Sequence, residues 1–430
     1  MASATPNTYR NQVMYSVFVR NHTPEGTFQA LRRDLRRIRE LGVDIIWLMP
    51  IHPIGQKARK GTLGSPYAIR DYRAVNPEFG TLQDLQELVA DIHELGMKCI
   101  IDVVYNHTSP DSVLASEHPE WFYRKPDGSF GNHVGDWTDI IDLDYTKLDL
   151  WDYQIETLTQ WAQIVDGFRC DVAPLVPMEF WSKARQAVEQ IRPGCIWLSE
   201  SVEPGFITYL RSQNLVAHTD SEVFEVFDIA YDYDIFGIFR AALRGECPLS
   251  DYVSAVNGQE KLYQDNYVKL RYLENHDQDR AAQIIPDEAK LLNWTAFCYF
   301  QKGMMLLYGG QEVGQNHRPS LFDPDRVCWD TGKNYSDFLA KLARIKKDSI
   351  LTDSRYSVSA LPEDTLVAVH DRQGEKLIGI FCVGGTGTEV QVPLADGVYR
   401  ELISDRTVTV IGGCVHTTGL PMIIHNLILE

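Results

Sequence analysis

The chain has 430 residues, 44% of them hydrophobic, enough for one barrel-sized domain with a smaller appendage and a sizeable core. Its net charge of -18, with acids spread along the sequence, argues against a phosphate backbone or an anionic membrane surface as partner and favours a neutral ligand. Eight cysteines lie scattered without a CxxC pair, several inside apolar runs, as expected of buried free thiols in a reducing compartment. The amino terminus, MASATPNTYRNQVMYSVFVR, shows no basic stretch leading into an apolar run, and nowhere do roughly eighteen apolar residues follow one another. A soluble, cytoplasmic chain is the expectation.

In chain order, a first strand at Met14 to Val19 leads to Thr27 and the run FQALRRDLRRIRELG. Leu31, Leu35, Ile38 and Leu41 share one face of that run and Gly42 stops it, so a single helix is predicted. Its arginines alternate with Asp34 and Glu40 and read as a solvated face. After a second strand at Asp44 to Met49, Thr81 opens LQDLQELVADIHELG, a helix of the same design that ends at Gly96 before the third strand, Lys98 to Val104. The interval from His107 to Gln163 is too long for a strand-to-helix loop. Its stretch WFYRKPDGSFGNHVGDWTD predicts a small folded excursion over one face, with Trp121, Phe122, Phe130 and Trp137 serving as its own core in preference to sugar-binding platforms.

Strands at Val165 to Arg169, Cys195 to Ser199, Val223 to Phe227, Val268 to Leu273 and Met304 to Tyr308 follow, with helical patterns between them. Eight such units closed right-handedly make a (β/α)8 barrel of the α/β class, here over residues 1–106 and 164–348. Residues 107–163 form the inserted domain after the third strand. Beyond the helix DFLAKLARIKK, the alternating runs TLVAVHD, KLIGIFCV, TEVQVPL and MIIHNLIL predict a C-terminal antiparallel β-sandwich over 349–430.

A barrel gathers the residues just beyond the carboxyl ends of its strands into one pocket. Asp102, Arg169, Asp171, Glu200 and Asp277 all stand at such ends, in DVVYNHT, GFRCDVA, LSES and LENHD. Two carboxyl groups in one pocket are the equipment for cleaving a glycosidic bond with retention, one as nucleophile and one as proton donor. Asp171 suits the first role, because Arg169 two residues earlier on the same strand face keeps it ionised, and a lowered pKa is expected. Glu200 suits the second, its proton held by burial against Trp197 or by neighbouring acids. Asp277 and His276 would bind sugar hydroxyls and stabilise positive charge at the reacting carbon.

These four segments, in this order, resemble the signature regions of the α-amylase family of glycoside hydrolases. The resemblance extends to SPYAIRDYRAVNPEFGT, IIDLDY and LLYGGQEVG, so it covers the barrel throughout. It implies Asp171 as nucleophile, Glu200 as acid/base and Asp277 as transition-state stabiliser, with Arg169 beside the nucleophile and Asp102 supporting Arg169. It also implies His107 and His276 as hydroxyl ligands at the cleavage subsite and Tyr67 as a stacking platform under the sugar ring. The substrate implied is a maltooligosaccharide from starch or glycogen.

Departures from the family pattern bear on specificity. Where typical α-amylases carry Lys-His after the nucleophile, this chain has Val172, Ala173, Pro174 and Leu175, and Val172 is similar to the oligo-1,6-glucosidase branch. An α-glucosyl transferase on the same scaffold is the other enzymatic alternative, and a catalytically inactive carbohydrate-binding protein is the alternative of another class. Asn106 matches a family calcium ligand, and Asp136, Asp139 or Asp142 would complete an oxygen site, although the altered 173–175 segment removes one partner. The chemistry itself calls for no cofactor.

Overall fold

The computed structural model describes residues 4–135 and 137–428. Eight short apolar strands form a closed parallel barrel: β1 (Val13–Val17), β2 (Ile45–Leu48), β3 (Lys98–Val103), β4 (Gly167–Cys170), β5 (Ile196–Ser199), β6 (Ile229–Tyr231), β7 (Lys269–Arg271) and β8 (Met304–Tyr308). Each pairs with its neighbours in sequence, and β8 closes the ring on β1 from Val13 opposite Met305 to Ser16 opposite Tyr308. The strands are buried on both faces, by barrel-filling side chains within and helices without, which is why they read as apolar runs rather than alternating ones.

Three expectations are corrected. The sixth strand is not Val223 to Phe227 but Ile229–Tyr231. Thr219 and Glu222 form a capping box that starts a helical turn over Asp220–Val223, and Val223, Phe224, Val226 and Phe227 are spaced for a helical face, not a strand. The first helix is broken into Phe28–Arg32 and Leu35–Glu40, where the Asp34 carboxylate is drawn to His22 and Arg37, each at 2.7 Å. The excursion ends near Lys147 rather than at 163, because Leu148–Ala162 is a ring helix whose Leu150, Leu158, Trp161 and Ala162 join the main core. The helix Leu82–Glu94 is as expected, closed by a capping box between Thr81 and Asp84.

The excursion is tied by a two-residue antiparallel ladder, His107–Thr108 against Ile141–Asp142, so its two ends leave the barrel together. Trp121 and Phe122 are its buried core, with Phe130 edge-on to Phe122 at 5.3 Å. Trp137 departs from that expectation and leans on His107, ring centres 5.5 Å apart.

The C-terminal domain is a six-stranded antiparallel sheet in the order 355–361, 365–372, 375–382, 422–428, 397–401, 407–410, faced by a two-stranded ladder of Glu389–Gln391 and Cys414–His416. Strand alternation gives the sheet two apolar faces. Val367, Ile378 and Ile380 pack on Val390 and Val415 of the ladder, whereas Leu366, Ala368, Leu377 and Phe381 merge with the barrel core. Phe381 lies 5.4 and 5.5 Å from Phe297 and Phe300 of the ring helix Glu288–Phe300. Gly379 makes that approach possible, since a Cβ there would come within 2.4 Å of the Phe381 ring.

Candidate active site

Arg169, on β4, is the hub of the site. It is completely buried, and its Nη1 donates to Asp102 Oδ1 at 2.8 Å and to Asp171 Oδ1 at 2.7 Å. Its Nε donates to the Tyr231 hydroxyl at 3.2 Å, and its Nη2 lies 2.9 Å from Glu200 Oε2 in an ion pair without hydrogen-bond alignment. The guanidinium sits 5.1, 5.6 and 5.4 Å from the ring centres of Trp47, Tyr67 and Tyr231. A cation with no access to water is tolerable because three carboxylates and three aromatic faces replace its hydration.

Asp171 and Glu200 are thereby held on the two terminal nitrogens of one guanidinium, each only 6% exposed. Burial pushes Asp171 up to about 6, with Asp102 and Asp277 adding to burial and together outweighing Arg169, which corrects the expected lowering. Glu200 is pushed further, to about 8, by burial and then by Asp171 and Asp277, against the opposing pull of Arg169 and the Val172 N–H. The neighbouring acids fit that expectation, while Trp197 packs on Phe168, Trp181 and Phe227 instead. The order of ionisation is the one the chemistry needs: Asp171 loses its proton first and Glu200 keeps one near neutrality.

Asp277, after β7, completes the group, its side chain 43% exposed and Oδ2 3.1 Å from His276 Nε2. Burial works against its charge, yet His276 and Arg169 hold the carboxyl below its ordinary range, and Asp277 in turn raises His276 against the pull of burial. The Tyr67 hydroxyl donates to Asp102 Oδ2 at 3.1 Å and lies 2.8 Å from His276 Nε2, and one face of its ring is stacked on His276 at 5.3 Å. His107 Nε2 stands 3.9 Å from Asp171 Oδ2, and burial lowers its pKa to about 4, so the ring is neutral near pH 7. Asp102 and Arg169 have no exposed surface and support the acids from within the barrel.

Three residues escaped the sequence reasoning. Trp47 stands near the end of β2, and its ring is 5.7 Å from that of His276. Tyr231 ends β6 and Tyr233 opens the helix after it, with Asn275 Nδ2 donating to the Tyr233 hydroxyl at 3.2 Å; misplacing that strand hid both. The capping box at Thr219 would have moved the strand to IAYDYD and brought both tyrosines to the catalytic face.

The residues considered for calcium are largely engaged by protein partners, while the buried Asp142 Oδ1 accepts no hydrogen bond among the described residues. The Asp139 carboxylate is paired with Lys60 at 3.1 Å, and Asp142 Oδ2 accepts the His133 N–H and lies 2.7 Å from His133 Nδ1. Asn106 Nδ2 is 3.2 Å from His107 Nδ1, and Ala173, Pro174 and Leu175 offer no side-chain oxygen. Among the described residues no group of three or more His, Cys, Asp or Glu is disposed to hold a metal; Asp136 lies outside them.

A closed parallel barrel with two buried carboxyl groups of divergent acidity, and a third acid, at the ends of its strands is the architecture of a retaining glycosidase. Residues 7–137 and 115–353 match the model of the α-amylase catalytic domain, and residues 357–424 match the bacterial α-amylase C-terminal domain. The chain belongs to the α-amylase family of glycoside hydrolases. Among solved structures, an α-amylase from Lactobacillus plantarum is 46% identical with a TM-score of 0.96, covering 98% of this chain and 100% of its own. The maltogenic α-amylase AmyB of Thermotoga neapolitana is 30% identical with a TM-score of 0.87 over 98% and 100% of the two chains. The α-amylase MalA of Haloarcula japonica is 26% identical over 94% of this chain, which spans 61% of that relative's length. Among the described residues no helix is long and apolar enough to cross a membrane.

Proposed function

We propose that this protein is a retaining hydrolase of α-glucosidic bonds in maltooligosaccharides derived from starch or glycogen. The observation that carries the reading is the pairing of Asp171 and Glu200 on one buried guanidinium, with Glu200 the harder to ionise. The Asp171 carboxylate attacks the anomeric carbon as Glu200 gives its proton to the glycosidic oxygen, and the leaving sugar departs from a covalent glycosyl-enzyme. The Glu200 carboxylate then takes a proton from water, which attacks the same carbon and releases a sugar of unchanged configuration. Asp277 stabilises the oxocarbenium-like charge in both steps, and His107, His276 and Tyr67 place the ring at the cleavage point.

A groove of about 810 Å³ lies between the excursion and the segments after β4 and β5, lined by Tyr123, Tyr145, Leu175, Pro177 and Asn214 but by none of the three acids. Eight unpaired cysteines, five of them buried, support a reducing, cytoplasmic setting. A second reading keeps the scaffold and changes the bond or the acceptor: Val172 favours α-1,6 linkages, and a sugar hydroxyl in place of water would give an α-glucosyl transferase.

Proton NMR of the enzyme with a maltooligosaccharide and, separately, an α-1,6-linked one tests this. Initial release of the α-anomer is expected, with Asp171→Asn folded but inactive. Initial β-anomer would refute the double-displacement reading, and no turnover of either sugar by folded wild-type protein would favour a binding protein.

A further inference from the structure

Val172 follows the nucleophile in a conformation that a β-branched residue rarely adopts, φ 35 and ψ 42 in the left-handed region. The surroundings impose it. Asp171 N–H is tied to Val103 O at 2.8 Å, Glu200 N–H to Cys170 O at 3.0 Å, and Leu175 N–H returns to Val172 O at 2.9 Å. The valine side chain is pressed against a small apolar cluster of Val202, Ile207, Leu210 and Ala217. The turn directs the Val172 N–H inward, where it donates to Glu200 Oε2 at 2.9 Å, the same oxygen that lies 2.9 Å from Arg169 Nη2. Oε1 receives no such donor among the described residues.

An aligned N–H donor and a guanidinium nitrogen at 2.9 Å on one carboxyl oxygen exclude a proton from it, since an O–H there would oppose both the N–H and the positive charge. We propose that Val172 is a positioning residue whose backbone N–H, with Arg169, reserves Oε2 of Glu200 as an acceptor and leaves the transferable proton on Oε1. The inference rests on Glu200 being the acid/base. In the first step the Oε1–H bond breaks as a new O–H bond forms on the glycosidic oxygen, and its electron pair stays on the carboxylate. In the second step Oε1 takes the proton of the attacking water. The charged groups that also face Glu200 are Arg169 of β4, Asp171 just beyond it, Asp102 of β3, and His276 and Asp277 beyond β7; the tyrosines nearby, Tyr231 and Tyr233, are neutral in the working pH range.

Replacing Val172 by its α-hydroxy acid turns the amide into an ester and deletes the N–H while keeping the side chain. The basic limb of the kcat/KM profile should then rise by about one pH unit, because the carboxylate has lost a donor. The rate on an unactivated maltooligosaccharide should fall about tenfold relative to that on an α-glucosyl fluoride, whose leaving group needs no proton. V172G keeps the N–H and accepts the left-handed turn, so its basic limb should stay where the wild type's is, whatever happens to kcat. An ester variant with the wild-type limb and rate ratio overturns the proposal, as does a V172G limb that moves as far as the ester's. Should the ester not fold, the Val172 amide proton of ¹⁵N-valine-labelled wild type, identified by its loss in V172A, is followed by NMR against pH. It should move as Glu200 ionises, and a flat trace overturns the proposal. E200Q separates the two levels: full turnover of unactivated oligosaccharides by E200Q would remove the acid/base reading itself, whatever the amide does.

Discussion

The divergence of the two buried acids sets the pH dependence of turnover. With Asp171 near 6 and Glu200 near 8, the productive form, Asp171 ionised and Glu200 protonated, comprises about four-fifths of the free enzyme at pH 7 and about a tenth at pH 5 and at pH 9. The kcat/KM for a maltooligosaccharide, taken from initial rates well below KM across pH 4.5 to 9.5, should trace a bell centred near 7. Both limbs should fall roughly tenfold within about two pH units of the centre. Raising the salt concentration should move the limbs little, because the acids and Arg169 are shielded from counter-ions by burial. A profile flat from pH 5 to 9, or an optimum below 5, would mean that burial does not raise these carboxyl groups and would remove the basis for assigning their roles.

Other expectations concern stability and metal. The folded protein holds the Glu200 proton more firmly than the unfolded chain does, so this group's stabilising contribution is complete below its ordinary value of 4.5 and lost as pH rises to about 8. E200Q lacks that loss, and its Tm by scanning calorimetry should overtake the wild type's between pH 5 and 9; parallel curves would refute this. Lys346 is buried, with the carbonyls of Tyr299 and Gln301 its only hydrogen-bond partners among the described residues, at 2.7 and 3.3 Å, and burial together with Arg271 and Lys347 brings its pKa down to about 7. Its stabilising contribution is therefore complete above 10.5 and lost as pH falls to 7, and K346M should flatten the change in urea midpoint between pH 10 and 7. An undiminished slope in K346M would assign that pH dependence elsewhere. Dialysis against EDTA should leave Tm and kcat unchanged, since Lys60 and His133 occupy the acids a calcium ion would use; a fall in Tm reversed by calcium would show a site built from other residues.

The barrel was legible because each strand is a brief apolar run and each of the three acids follows its run within six residues, so linear order alone places Asp171, Glu200 and Asp277 on one face. Where helix and strand compete for the same apolar residues, periodicity in a short window does not decide, and the run at Val223 to Phe227 was misplaced while the shorter IAY was passed over. The ring helix Leu148–Ala162 was absorbed into the excursion because its aromatic content continues that segment's composition. The direction of the Asp171 shift was illegible for another reason: it is a sum over burial, Asp102, Asp277 and Arg169, of which only the Arg169 contribution is adjacent in sequence. Nor does a valine announce a positive φ; sequence rules put glycine at such a turn, and only the packing around Val172 shows why a valine is held there.

The contact of Phe381 with Phe297 and Phe300 orders events during synthesis. When β8 leaves the ribosome the parallel ring can already close, yet the outer surface of its last long helix still lacks a cover that lies about eighty residues further along the chain. A nascent barrel therefore waits with an aromatic patch facing water, and release of a chain cut before the C-terminal sheet leaves that patch open to other nascent chains and to chaperones. The sheet is thus not a module to be exchanged freely among barrels: a transplanted domain must bring a residue that fits over Phe300 and a glycine in the strand beneath it.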